Sequence, residues 1–152
     1  MHPLAIRAIG TLTVEQITPL IIASETEGHN FVRRLWDEYA SGENRFDSEG
    51  PVLFGVFDGE ELVAIGGLHR DPYVDIAGVA RIRHVYVAKG YRRSGVGRRL
   101  MAALIEHARG RFGLLTLRTM TEEGAAFYSS LGFRSDPLHE SATHWLRLRL
   151  SL

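Results

Sequence analysis

A basic segment with several glycines, residues 81–99 (RIRHVYVAKGYRRSGVGRR), constrains this chain more than any other stretch. Its first half is apolar and β-branched and predicts a strand, a turn follows at Lys89-Gly90, and a helical pattern begins at Val96. Glycines let a ligand approach the backbone, and the free N–H groups of a first helical turn attract negative charge. The order of strand, glycine loop and helix therefore predicts a phosphate or pyrophosphate site.

The distribution of charge supports an anionic ligand at this place. The segment contains seven of the 18 Lys and Arg residues and no Asp or Glu, whereas the formal net charge of the whole chain is zero. A neutral chain lacks the overall attraction to nucleic acid that a strongly basic protein has, so we expect no nucleic-acid partner. The chain has no Cys, which excludes disulfides, thiolate metal sites and a cysteine nucleophile.

Length and composition predict one globular domain over residues 1–152. The start, MHPLAIRAIG, lacks the pattern of a secretory signal, and no apolar run approaches the roughly 18 residues that span a bilayer. We therefore expect a soluble, cytoplasmic protein with no membrane partner. His139 and His144 are five residues apart in a predicted turn and strand, which does not match a helical zinc motif, so we expect no metal.

Periodicity along the chain predicts a mixed α/β (α+β) domain around one sheet. Thr13 and Gln16 form a capping-box pattern before one helix, a second helix ends before Gly42, and Asp58-Gly59 predicts a tight hairpin turn. Thr121 is placed to cap a late helix that stops at Gly132. The predicted strands are 4–9, 52–57, 62–68, 81–87, 114–119, 133–134 and 143–150, and residues 43–50 are predicted to be a loop.

Two motifs in this order resemble the GNAT superfamily of acetyl-CoA-dependent N-acetyltransferases. The first is Val85-Tyr86-Val87 followed by Arg92-Arg93-Ser94-Gly95-Val96-Gly97, and the second is Phe127-Tyr128-Ser129-Ser130-Leu131-Gly132-Phe133. The resemblance covers residues 52–150. It implies a single-domain GNAT-like fold, with a central, mostly antiparallel sheet splayed at the cofactor site and helices on both faces. It also implies transfer of the acetyl group of acetyl-CoA to a primary amine, on a small molecule or a peptide or protein, by direct attack.

The resemblance assigns roles to particular residues. Backbone N–H groups of the glycine loop would hold the pyrophosphate of coenzyme A, and the main chain of the preceding strand would pair with the pantetheine arm. Tyr128 would donate a proton to the departing thiolate. The implied cofactor-binding set is Val85, Tyr86, Val87, Arg92, Arg93, Ser94, Gly95, Val96, Gly97 and Arg98.

The chain departs from the family pattern where relatives place a catalytic base. Many relatives have Glu at the position of Arg81, and some have His there or at Arg83, but a guanidinium stays protonated and cannot accept a proton. His84, His69 and Asp71 are the other candidates, although His84 points to the opposite face of the sheet unless a β-bulge re-aims it. Arg81 and Arg83 are candidates to bind a carboxylate or phosphate of the acceptor, or else lie on a solvated strand face. Two smaller departures, Thr121 for Asn and Gly124 for Ala, predict only local adjustment.

Several alternatives stay open at this point. A non-catalytic acyl-CoA-binding or sensing module would keep the glycine loop without a base, and an enzyme of the same fold could transfer another acyl group. A P-loop nucleotide hydrolase is disfavoured because no Gly-Lys-Ser/Thr follows the loop. A homodimer is a further possibility, because the strand at 143–150 could lie at an edge that is available for pairing.

Overall fold

The computed structural model of the chain describes residues 3–42 and 50–148. Most of the predicted loop at 43–50 and the end of the last predicted strand lie outside these residues. The elements in chain order are β1 (Ala5–Ala8), α1 (Val14–Thr26), α2 (Phe31–Ser41), β2 (Val52–Asp58), β3 (Glu61–Arg70), β4 (Val79–Val87), a 3-10 turn (Lys89–Tyr91), α3 (Val96–Ala108), β5 (Leu114–Leu117), α4 (Glu122–Ser130) and β6 (His144–Arg147).

Among the described residues, the strands form one six-stranded sheet in the order β1-β2-β3-β4-β5-β6. Neighbours are antiparallel except for β4 and β5, which are parallel because α3 crosses over between them. The predicted mixed α/β fold with a mostly antiparallel sheet is confirmed. Within the described ranges, no helix is long and apolar enough to cross a membrane.

Helices cover both faces of the sheet, as predicted. On one face, α3 buries Leu100, Met101 and Leu104 completely, and Phe127 and Tyr128 of α4 pack against the same core. On the other face, α1 and α2 form a second core with Phe57 and Ile65 of the sheet; its helical members are Ile17, Leu20, Ile21, Val32 and Leu35. The sheet is thus a shared wall between two apolar layers.

Local sequence signals set most element boundaries. Thr13 Oγ1 accepts from Gln16 N at 3.3 Å, and Gln16 Oε1 accepts from Thr13 N at 3.1 Å, which completes the predicted capping box. The predicted hairpin turn is off by one residue: Asp58 pairs with Glu61, so Gly59-Glu60 form the loop. Gly59 carries the positive φ, of 64°, that the turn requires.

A β-bulge interrupts the pairing of β3 with β4. Arg83 pairs with Gly67 and Tyr86 with Ile65, so His84 and Val85 both lie opposite Gly66, and His84 has a φ of 62°. Val85 packs on the α3 side, whereas His84 contacts the main chain of α2. The bulge therefore places His84 on the same face as Arg83 and Tyr86.

Gly124 lies in the first turn of α4, where the similar family often has Ala. Thr121 caps this helix, with Oγ1 accepting from Gly124 N at 3.0 Å. A Cβ at Gly124 would lie 2.2 Å from Thr119 Oγ1 and 3.0 Å from Thr121 Oγ1. A Cβ at position 124 would therefore require the Thr119 side chain to move.

We predict that Gly124→Ala lowers the free energy of unfolding by about 1–3 kcal/mol, because the steric conflict outweighs the roughly 1 kcal/mol helix preference for Ala. In a Thr119→Ala background, the same change should cost less or become stabilising. Urea unfolding of the four variants of this cycle measures the difference. Equal costs of Gly124→Ala in both backgrounds would contradict the explanation.

Candidate functional site

The main cleft opens where β4 and β5 separate. The two strands pair at Val79–Leu114, Ala80–Leu115 and Arg81–Thr116, but β4 continues to Val87 with no further strand paired on that side among the described residues. The cleft has a volume of about 1040 Å³ and runs from the start of α3 to the turn that follows β3. Unpaired main-chain groups of a strand edge can accept a further extended segment, so this gap is a slot for a strand-like ligand.

The glycine loop closes one end of the cleft. Arg93 and Gly95 have φ values of 62° and 85°, and Gly95 is the N-cap of α3 without a side-chain cap. Arg99 N donates to Gly95 O at 3.0 Å, so the N–H groups of Val96, Gly97 and Arg98 precede the first intrahelical bond. These N–H groups and the adjacent arginines form an anion cradle.

The side chains of the predicted loop divide into two groups. Arg93, Gly95, Gly97 and Arg98 line the cleft. Ser94 instead donates from Oγ to Tyr91 O at 2.7 Å, and Val96 is buried in the α3 core. Both side chains shape the loop, and the buried Val96 can offer a ligand only its main chain.

Arg92 is held by a glutamate that the sequence pattern did not single out. Its Nη1 and Nη2 each donate to Glu27 at 2.7 Å, and its Nε donates to Val87 O at 2.8 Å. Tyr86 also donates its hydroxyl to Glu27. The hydrogen bonds from Arg92 and then Tyr86 lower the pKa of Glu27 to about 2. The Arg92 guanidinium therefore connects the end of α1 to β4 and to the glycine loop. Its contribution to the anion cradle is to position the loop.

Tyr128 of α4 lines the cleft between the cradle and the opposite end. Its ring lies 5.1 Å from that of Phe127, 5.9 Å from that of Phe133 and 6.3 Å from that of His144, measured between centroids. Burial among these rings raises the pKa of Tyr128 to about 12. The phenol therefore keeps its proton at neutral pH and can donate it into the cleft.

Arg81 and Arg83 both line the end of the cleft away from the cradle. Arg81 is buried: Nη2 donates to Ser141 O at 3.1 Å, Nη1 lies 3.8 Å from Asp71 Oδ2, and the guanidinium stacks 4.6 Å from the Tyr73 ring centroid. Arg83 is more accessible, with Nη1 4.0 Å from Glu38 Oε1. Neither is a freely solvated strand residue.

The structure separates the three candidate bases. Asp71 is buried and does not line the cleft; it accepts from Thr116 Oγ1 at 2.6 Å and from Tyr73 N at 2.9 Å. His69 lies opposite Arg81 on β3 and is also outside the cleft lining. His84 lines the cleft, with Nδ1 3.1 Å from Phe31 O and Nε2 3.6 Å from Glu38 Oε2.

Both histidines are strongly biased toward the neutral form. Burial, and then the charge of Arg83, lower the pKa of His84 to about 3 and that of His69 to about 4. A neutral imidazole can accept a hydrogen bond or a proton, whereas an imidazolium cannot. In the part of the chain that the structure describes, no cluster of three or more His, Asp or Glu residues is arranged to hold a metal ion.

These pKa values predict a loss of stability in mild acid. The unfolded chain takes up protons on histidine near pH 6.5, whereas the folded chain resists protonation of His84 until about pH 3. Unfolding therefore gains protons in this interval, and the free energy of unfolding falls as the pH drops through it. Urea unfolding from neutral pH to about pH 4 should show a shallower acid dependence for His84→Gln than for wild type. Parallel curves would contradict the assignment.

Comparisons with known proteins agree with this geometry. The sequence model of the acetyltransferase (GNAT) family matches residues 15–133. The crystal structure of an inferred acetyltransferase from Exiguobacterium sp. 255-15 has a TM-score of 0.84 and 26% identity, covering 96% of this chain and 94% of that chain. An acetyltransferase of the GNAT family from Staphylococcus aureus Mu50 has a TM-score of 0.76 and 19% identity, and the match covers 97% of this chain and 100% of that chain.

An uncharacterized protein from Mycobacterium leprae (strain TN) is 32% identical over an alignment of 102 residues that covers 58% of this chain. The match spans only 28% of the length of that protein. The family model, in contrast, covers most of this chain, including the cradle, the unpaired strand and Tyr128. The chain therefore belongs to the GNAT family of acetyltransferases.

Proposed function

We propose that this protein transfers the acetyl group of acetyl-CoA to a primary amine of a small molecule or peptide by direct attack. The observation that carries the proposal is the sharing of one cleft by three features: the anion cradle at α3, the unpaired edge of β4, and the protonated Tyr128. These features match the pyrophosphate, the extended pantetheine arm and the thioester sulfur of acetyl-CoA, in that order.

The residues of the chain fit this ligand chemically. The Val96, Gly97 and Arg98 amides, together with the Arg93 and Arg98 side chains, would bind the pyrophosphate. Main-chain groups of Val85 to Val87 would pair with the pantetheine amides, and a main-chain N–H of β4 would polarise the thioester carbonyl. The bound thioester supplies the activated acetyl group.

The protons of the transfer balance through Tyr128. The amine attacks in its neutral form, and His84, the candidate base that lines the cleft, faces it as a neutral imidazole because burial lowers the pKa of His84 to about 3. As the new C–N bond forms and the C–S bond breaks, Tyr128 donates its phenol proton to the thiolate. The phenolate then recovers a proton from the acylated nitrogen. His69 and Asp71 lie outside the cleft lining, and Asp71 Oδ2 is 3.8 Å from Arg81 Nη1 instead.

Arg81 and Arg83 define the proposed character of the acceptor. They lie at the end of the cleft opposite the cradle, beside His84. Guanidinium groups recognise carboxylates and phosphates, so an acceptor with a negative group near its amine would fit this end. Arg83 is the more available of the two, because Arg81 already has contacts with Ser141 and Asp71.

Tyr128→Phe should lower kcat by about 100-fold or more, the usual contribution of a general acid, while the Kd for acetyl-CoA stays within about twofold. Thiol release from acetyl-CoA in the presence of a panel of amines and amino acids measures kcat, and calorimetry measures the Kd. Tyr91→Phe is the matched control, because Tyr91 donates its hydroxyl to Asp58 outside the cleft lining and should leave kcat unchanged.

The same assay distinguishes the alternatives. Binding of acetyl-CoA without turnover of any amine, and with no effect of Tyr128→Phe, would favour a non-catalytic acyl-CoA-binding module. A higher turnover with a longer acyl-CoA than with acetyl-CoA would favour transfer of another acyl group. Failure to bind any CoA ester would refute the proposal altogether.

The cradle can be tested with a matched pair of glycines. Gly95 and Gly110 flank α3 with φ values of 85° and 78°, and a Cβ at either position meets no atom within 4 Å. Replacement of either by Ala should cost about 1–2 kcal/mol of stability, because Ala is strained in the left-handed region. Only Gly95→Ala should also weaken acetyl-CoA binding, by about tenfold, because only that strain moves the cradle amides. Equal acetyl-CoA Kd values for the two variants, by calorimetry, would argue against the cradle.

A further inference from the structure

Two buried hydrogen-bond acceptors face each other at the end of the cleft away from the cradle. His84 Nδ1 lies 3.1 Å from Phe31 O, and a carbonyl oxygen only accepts, so Nδ1 carries the ring proton and Nε2 presents a lone pair. Nε2 points at Glu38 Oε2 across 3.6 Å. Both atoms are buried and have no hydrogen-bond partner among the described residues. The space between them lacks a donor.

The charges around His84 indicate that His84 itself does not supply the missing hydrogen-bond donor. Arg83 Nη1 lies 4.0 Å from Glu38 Oε1, and burial together with Arg83, His69 and Arg34 disfavours an imidazolium at His84. His84 Nε2 therefore carries no proton that it could donate to Glu38 at neutral pH. Buried polar atoms are normally paired, so a donor that the described residues do not supply is expected here.

The position of His84 Nε2 and Glu38 Oε2 indicates which molecule supplies the missing hydrogen-bond donor. The His84 side chain is only 2% exposed, yet it lines the cleft, and Phe31 and Arg34 of the same α2 face line it as well. The other end of this cleft is the anion cradle, and Tyr128 lies in the same cleft. A group that reaches His84 from the cleft thus arrives from the side on which the proposed chemistry takes place.

We propose that Glu38 and His84 together form the docking site for the acceptor's amino group, which donates one N–H to His84 Nε2 and another to Glu38 Oε2. This inference rests on the proposed acetyltransferase function and specifies how its acceptor is recognised. An amine has the two or three donors that the pair needs, whereas a hydroxyl has only one. The site therefore selects amines over alcohols.

The arginines around the pair restrict the acceptor further. Arg34, Arg81, Arg83 and Arg118 line the cleft. Two carboxylates lie beside this lining, Glu38 at 4.0 Å from Arg83 Nη1 and Asp71 at 3.8 Å from Arg81 Nη1. A purely cationic acceptor would be repelled by this excess of positive charge. An amine that carries a carboxylate or phosphate a few bonds away can donate hydrogen bonds to His84 and Glu38 and also bind the arginines through its negative group.

Glu38→Gln gives the sharpest test, because the Gln amide can donate to His84 Nε2 and fill the space itself. We expect this variant to unfold at a temperature equal to or above that of wild type, and to bind amines about 10- to 100-fold more weakly, as for loss of a charge-assisted hydrogen bond. A merely structural role for Glu38 predicts the opposite: lower stability and unchanged amine binding. Asp37→Asn is the matched control, since Asp37 is the exposed carboxylate next to Glu38 on α2.

Binding is read out by nitrogen-15 NMR of the His84 ring in the full-length chain saturated with CoA, with β-alanine, ethylamine and propionate as probes. Both amines should move the Nε2 resonance in wild type and Asp37→Asn, β-alanine should bind more tightly than ethylamine, and propionate should leave Nε2 unmoved. The inference is overturned if neither amine perturbs Nε2, if propionate perturbs it equally, or if Glu38→Gln responds as wild type does. Absence of CoA binding would instead refute the proposed function, so the two failures are distinguishable.

Discussion

The pairing of β4 with β5 stops after three residue pairs, and the cleft depends on that early separation. β5 is only four residues long, and β4 carries a bulge three residues beyond the last pair, which increases the local twist. The remaining part of β4 keeps its extended backbone because β3 pairs with it on the other side. A strand edge without a partner is normally a liability, and here it becomes the surface that a strand-like ligand would occupy.

Two glutamates connect the α1–α2 layer to this opened strand. Glu27, at the end of α1, holds Arg92 and Tyr86, so the position of α1 is coupled to the start of the glycine loop. Glu38, on α2, lies beside Arg83 and His84. The helices that cover one face of the sheet therefore contact both ends of the cleft. A displacement of this layer would alter the cradle and the acceptor end together.

Local patterns predicted much of the fold because the interactions involved span only a few residues. The Thr13–Gln16 capping box and the Thr121 cap depend on groups three residues apart, and both form. The hairpin turn shifts by one residue because the β2–β3 register pairs Asp58 with Glu61, and strand pairing outweighs the preference of a dipeptide. Gly124, a departure from the family pattern, is explained only by Thr119, whose side chain occupies the space that a Cβ would need.

The candidate site shows where such prediction ends. The glycine loop and Tyr128 were identified because their chemistry lies in contiguous motifs. Glu27 and Glu38 were not, because a glutamate on an amphipathic helix is usually solvated, and their partners lie at least 45 positions away in the sequence. The side on which His84 points depends on a single extra residue opposite Gly66, and alternation alone predicts the wrong face. The sequence by itself determined the family, the order of elements and the position of the glycine loop, since each rests on short-range patterns. Only the tertiary structure decided which carboxylates face the arginines and the histidine, because long-range packing brings those groups together.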